Sequence, residues 1–281
     1  ISYLSRLFPS SRGYALSIHA FGASFGDIIA PLAIGFLLGW FTWQTTIKLS
    51  SVPVFVVVAL ISSFLLTSNT RNTEQNKDKI KGLSLNEYFN GILVLFRDRG
   101  VVGLALMAGV RSLAQSGLML FIPLFLANEL EVSPSLIGLG LAAMQLGGLL
   151  AGPIAGTWSD RIGRRPVVLA GLSGSTIVIA ALTLAGNEVI FIAGISILGF
   201  MLFAVRPVIH SWMMDLTPPH MAGSATSVMF GTQSLLSASG PLLGGIIADI
   251  WGLTFVFYAL AGTMLVANVL VYFLPNNDKN V

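Results

Sequence analysis

Three charges stand inside long apolar stretches of this chain: Asp27, Arg111 and Arg206. A charge held at mid-bilayer costs about 2.5–3.5 kcal/mol on insertion scales, so one that is kept there is a candidate for function. Gln115 follows Arg111 by one helical turn and His210 follows Arg206 in the same way. Each pair therefore shares a helix face. Gln145 and Gln233 sit near the middle of two further apolar stretches. Together these side chains form a polar lining that can bind a solute inside a membrane. They do not form a bond-breaking centre. His19, His210 and His220 have no metal-ligand spacing, cysteine is absent, and no lysine ends a GxxxxGK[ST] run. The reading is of no metal, no cofactor, no enzyme and no direct use of ATP.

The individual charges leave alternatives open. Asp27 stands beside Gly26 in a Gly22-x-x-x-Gly26 stretch, where it suits a proton-coupling carboxylate or the partner of an arginine. Arg206 directly precedes Pro207. It suits a solute contact, a snorkelling side chain, or a donor to carbonyls that the proline leaves free. Arg111 is deeper, and cavity lining is the favoured reading. If both arginines face a cavity, two cations against one carboxylate suit an anionic or acidic-group solute. In that case Arg111→Ala abolishes transport while the protein still inserts.

These side chains need helices to position them, and composition says in which solvent. Of the 281 residues, 54% are apolar and 10% charged, and mean hydropathy is +0.83. Soluble domains carry about a quarter charged residues, so this chain cannot cover a water-facing surface. Stretches long enough to span a bilayer, about 17–25 residues, run over 13–38, 44–67, 101–127, 135–158, 166–186, 189–214, 222–247 and 253–274. The polar segment 68–99 reads as a linker between two bundles, and its Leu83–Phe96 portion suits an amphipathic surface helix. Twelve of the fifteen basic residues fall in the chain ends, that linker and the 161–165 turn, while the alternate connectors carry none and Lys48 stands alone near the other side. Basic loops stay inside, which predicts that both chain ends and the linker are cytoplasmic, in a bacterial-type inner (plasma) membrane. The same asymmetry accounts for the net charge of +3 without a nucleic-acid partner.

Pro9, Gly13, Pro31 and Gly35 recur as Pro219, Gly223, Pro241 and Gly245, all at an offset of 210. Shared proline and glycine spacing predicts one bend and one close-packing face used in both the first and seventh spans. Six spans then make one unit, and repeated halves are typical of secondary transporters. Gly148, Gly152 and Gly156, four apart, should let a neighbouring backbone come close along the fourth span.

The turn after the fourth span reads Gly156-x-x-x-Asp160-Arg161-x-Gly163-Arg164-Arg165. It resembles the GxxxDRxGRR signature of the major facilitator superfamily (MFS) at every fixed position. Gly240-Pro241-x-x-Gly244-Gly245 is similar to the GPxxGG element of that family's proton antiporters, although there the element lies in helix 5 and here its best form is in the seventh span. The resemblance implies an all-α polytopic membrane protein: eight helices, 5–12, of a twelve-helix fold, truncated at its N-terminus. Residues 1–67 would be the remnant of the first bundle, 68–99 the linker and 100–281 the complete second bundle. It further implies that Asp160 faces the cytoplasmic end of the first span near Gly13, where the helix dipole favours an anion. Arg161, Arg164 and Arg165 would pair with Asp160 or with lipid phosphates, as a latch on the cytoplasmic gate. A plain topological turn at Gly163 explains the same residues.

The resulting expectation is a secondary transporter that moves a small-molecule solute by alternating access. Protons are the expected coupling ion and membrane lipid the surrounding partner. A transporter-like sensor would need an output domain, which the linker and tail do not offer. Efflux of drugs and uptake of a small polar or anionic metabolite both fit.

Overall fold

The computed structural model describes residues 12–67, 95–218 and 221–274, with the side chains of 12–21, 23 and 65–67 outside that description. Eight long helices occur among the described residues: α1 (Arg12–Trp40), α2 (Trp43–Thr67), α3 (Arg99–Asn128), α4 (Pro134–Ile162), α5 (Arg164–Leu182), α6 (Glu188–Leu216), α7 (Ala222–Trp251) and α8 (Leu253–Tyr272). They coincide with the expected spans to within a few residues. Seven are long and apolar enough to cross a bilayer, and Ser24–Trp40 adds a shorter apolar stretch in α1. The surface helix expected over Leu83–Phe96 falls largely outside the described residues.

Local chemistry sets the ends. Asp98 caps α3 by accepting from the backbone N–H groups of Gly100 and Val101 at 2.7 and 3.2 Å. Asn187 caps α6 by accepting from Ile190 N–H at 2.9 Å, and α4 starts on Pro134, where no intrahelical N–H is needed. Two tight joints, α4 to α5 and α7 to α8, each turn on a single glycine with positive φ, Gly163 at 93° and Gly252 at 92°. A side chain would strain the backbone there.

Packing runs from helix to helix: α4 on α6, α6 on α5, α5 on α8, α8 on α3 and α3 on α7. That sequence of contacts gathers α3–α8 into one bundle. Phe125, Phe191 and Phe257 pin α3, α6 and α8 together, with ring centroids 5.0–6.1 Å apart. Asn268 of α8 donates to Ser173 Oγ of α5 at 2.6 Å. Lipid is as apolar as leucine, so close packing and such hydrogen bonds hold the bundle. α1 lies against α4, and α2 packs on α1 with nearly all of its described side chains exposed.

Close approach uses glycines, among them some of those the spacing suggested and some it did not. A Cβ on Gly35 would stand 2.6 Å from the Pro134 carbonyl oxygen and 2.9 Å from Gly138 Cα, and one on Gly138 would strike the Pro31 carbonyl. Here α1 and α4 touch backbone to backbone. Of the expected Gly148–Gly152–Gly156 face, Gly148 abuts the Phe203 ring, while Gly152 and Gly156 have no atom within 4 Å of their Cβ positions. That face turns towards a cleft instead of a helix. The repeat is likewise inexact in its contacts. Gly35 is tightly packed but its counterpart Gly245 is open; in α7 it is Gly240, against the Leu113 carbonyl, and Gly244, against Phe121, that meet α3. A shift of one residue turns the helix by about 100°, so equal spacing did not secure an equal face. Pro9 and Pro219 lie outside the described residues.

Candidate functional site

Two of the clefts between the described helices are polar, and Arg206 lines both. The first, about 480 Å³, lies between α1, α4 and α6, with Asp27 and Ser24 on one wall, Gln145, Gly148 and Gly152 on another, and Arg206 and His210 on the third. The second, about 420 Å³, lies mainly between α3 and α7. Arg111, Gln115 and Met119 face Phe230, Gln233 and Ser234, with Arg206 at its edge. Asp27, Arg111, Gln115, Gln145, Arg206 and Gln233 thus all fall on cleft walls, and the structure brings Gln145 together with Asp27, and Gln115 with Gln233.

The two arginines differ in kind. Arg111 is 3% exposed, and its Nη2 donates to the Leu202 carbonyl of α6. It ties α3 to α6 at the level where Pro207 interrupts the hydrogen-bond ladder. Its Nε has no partner among the described residues. Arg206 is exposed to the clefts, and among the described residues it makes no hydrogen bond or ion pair. Of the readings considered for Arg206, donation to carbonyls freed by the proline is therefore not seen among the described residues. Asp27 also stands in the cleft without an ion pair among the described residues.

Serines complete the second cleft. Ser112 Oγ donates to Gln233 Oε1 at 3.3 Å and Ser116 Oγ to the Ser237 carbonyl at 2.6 Å, both across the α3–α7 seam. Sequence reasoning missed them because serine is common in membrane helices. The signal was there in spacing: Ser112 and Ser116 flank Gln115 on α3, and Gln233, Ser234 and Ser237 cluster on α7. His210 stacks edge-on to Phe230 at 5.0 Å, joining α6 to α7.

At the α4–α5 turn Arg164 is the hub. It pairs with Asp160, donates to Ser159 Oγ at 2.7 Å, and reaches Asp215 Oδ2 on α6 at 3.1 Å. Arg165 donates to the Tyr272 carbonyl at 2.9 Å and lies over that ring at 5.7 Å, linking the turn to α8. Asp215 is thus a partner of the motif. Arg161 is exposed. The expected contact of Asp160 with α1 near Gly13 falls among residues whose side-chain surroundings lie outside the description.

Among the described residues, α1 and α4 are therefore in backbone contact at their Trp40/Pro134 end and parted by a polar cleft at the level of Ser24 and Asp27 on α1 and Gln145 to Gly152 on α4. A profile described as the Major Facilitator Superfamily matches residues 1–113 and 104–281. The chain belongs to the Major Facilitator Superfamily. Members of this family are transmembrane transporters, not enzymes, and the chain is an integral membrane protein. Over 83% of its length it is 26% identical to a provisional metabolite transport protein of Haemophilus influenzae. Over 50% of its length it is 30% identical to the multidrug efflux pump Tap of Mycolicibacterium fortuitum. It spans 58% of the first relative and 35% of the second. The MFS fold is also seen in the likeness to a bacterial homologue of the human lysosomal transporter Spinster, solved in an inward-facing, unoccupied conformation. The TM-score is 0.63 at 18% identity, over 94% of this chain and 69% of that one.

Proposed function

We propose that this chain supplies helices 5–12 of a twelve-helix secondary transporter working by alternating access. Residues 1–67 belong to the first bundle, 68–99 are the linker and 100–281 are the second bundle, with both ends and the Gly163 turn in the cytoplasm of a cell with a bacterial-type inner membrane. One observation carries this reading: α1 and α4 seal at one end and part at the other over polar clefts that share Arg206. A pathway open to one side only is what alternating access requires. On the proposed orientation the open side is cytoplasmic. Arg111, Gln115, Gln145, Arg206 and Gln233 line the solute path, and Asp27 is the coupling carboxylate.

Gly156, Asp160, Arg161, Gly163, Arg164 and Arg165 form the cytoplasmic gate motif. In the open arrangement Arg164 rests on Asp160 and Asp215 within one bundle; on closure the Gly152–Gly156 face of α4 would receive the opposing bundle. Pro31 and Pro241 provide bends, while Gly35, Gly240 and Gly244 provide close contacts. Gly245 lies open and stays available to a neighbour. Relatives named for metabolite transport and for drug efflux leave both directions of transport in play. The polar walls favour a polar solute.

The test is flux through the whole gene product in liposomes under an imposed pH gradient. Solute movement that follows the gradient, and that Asp27→Asn uncouples, is expected. Flux indifferent to the gradient would remove the proton; no flux of any solute class would remove the transporter.

A further inference from the structure

Resting on the transport reading, the α3–α7 cleft has a chemical bias that points to the solute. Several of its polar groups are already engaged. Ser112 and Ser116 donate to Gln233 Oε1 and the Ser237 carbonyl, Ser237 Oγ donates to the Ser234 carbonyl at 3.0 Å, and Arg111 donates to Leu202. What is left over is weighted towards donors, with the Gln115 amide oxygen and the Ser234 hydroxyl as the remaining acceptors. Because Gln233 accepts through Oε1, its NH2 end remains free to donate. The Gln115 amide and the Ser234 hydroxyl make no hydrogen bond among the described residues, and the Arg206 guanidinium offers five N–H groups without a partner. Among the described residues no Asp or Glu is on the wall of this cleft. Met119 and Phe230 supply apolar surface beside these groups.

Among the described residues a cation would find no counter-charge on this wall, and a neutral polyol would leave the cleft-facing Arg206 guanidinium without a counter-charge at membrane depth, which is costly. We infer that the solute is an organic oxyanion, a carboxylate or sulfonate on a compact apolar body, held by Arg206 with Gln115 and Gln233 completing the oxyanion site and the body resting on Met119 and Phe230. Arg206, and not the deeper Arg111, is the residue that touches it, because Arg111 is engaged by α6. Asp27 lies on the neighbouring cleft that Arg206 also lines. It is the internal rival for the same guanidinium.

The experiment is equilibrium binding to the whole gene product in detergent, with benzoate, benzenesulfonate, inorganic phosphate, glucose and tetraphenylphosphonium as probes. Benzoate or benzenesulfonate should bind saturably, and which of the two is tighter assigns the oxyanion. Phosphate should bind more weakly and glucose and the phosphonium not at all. A hydrogen-bonded charge contributes about 1.5–3 kcal/mol, so Arg206→Gln should weaken the bound oxyanion by about ten- to a hundredfold. Arg206→Lys should keep part of the affinity, which separates lost binding from lost folding. Asp27→Asn should tighten binding by removing the rival. Benzoate affinity unchanged in Arg206→Gln, or preferential binding of the phosphonium, overturns the inference. So does phosphate bound as tightly as benzoate, since the apolar body would then be irrelevant. If no oxyanion binds while the protein still moves another solute in liposomes, the inference falls and the transport reading stands.

Discussion

The same two helices, α1 and α4, meet in two different ways. Towards Trp40 and Pro134 they lie backbone on backbone: Gly35 and Gly138 leave no room for a Cβ, and Ser135 Oγ donates to the Gly35 carbonyl at 3.3 Å. Further along, Gly22, Gly26, Gly152 and Gly156 have nothing within 4 Å among the described residues, and a cleft holding Asp27 and Gln145 separates the helices. Both ends are rich in small residues, yet only one uses them for contact. Small residues at the closed end are accounted for by what they touch. Those at the open end touch nothing in this arrangement, and their smallness acquires a reason if that end closes in another.

Substitutions can break this comparison, and they rank by their expected effect on stability. Gly138→Leu is the most severe. Its side chain would meet the Pro31 carbonyl and the Gly35 backbone, neither of which can swing aside, and overpacking of that kind costs about 3 kcal/mol. An SDS-unfolding titration of the purified protein measures it; a wild-type midpoint would mean that the tight end is not tight. Arg111→Ala comes next, with a loss of about 1.5–3 kcal/mol from removing the buried bond to Leu202. The same titration on Arg206→Ala should stay near wild type, because that side chain makes no bond to lose.

Arg164→Ala should cost at most about 1 kcal/mol, since its partners are largely solvated. Its larger effect is expected on how long the open end stays open, read as the rate of thiol labelling at Gly152→Cys. This chain has no native cysteine to confuse that signal. Smallest on stability is Gly152→Leu, because the site is empty space. It should insert and unfold like wild type and yet fail to transport. If Gly138→Leu and Gly152→Leu behave alike, the two ends are not different and the comparison fails.

Much of the frame was legible in the sequence. Apolar runs of bilayer-spanning length gave all eight helices, since length and hydropathy decide what can span lipid. Mid-span charges and amides, rare enough to stand out, led directly to the cleft walls. Partners were less legible. The four-residue spacing of Gly148, Gly152 and Gly156 defines a face but not what lies opposite, and the real contact, Gly35 with Gly138, joins residues about a hundred positions apart with no shared pattern. Nor could spacing tell which arginine is engaged. That depends on the Leu202 carbonyl, a backbone atom whose availability is set by the path of α6. Asp215 escaped for a similar reason: only the fold sets it beside Arg164.

The central claim is that the two ends of the α1–α4 pair alternate. Paired spin labels on cysteines introduced at Ser24 and Gly152, and separately at Gly39 and Ser135, test it in the whole gene product in liposomes. The account predicts that conditions driving turnover shorten the Ser24–Gly152 distance and lengthen the Gly39–Ser135 distance together. Two distances that stay fixed, or that lengthen and shorten in step, would contradict it.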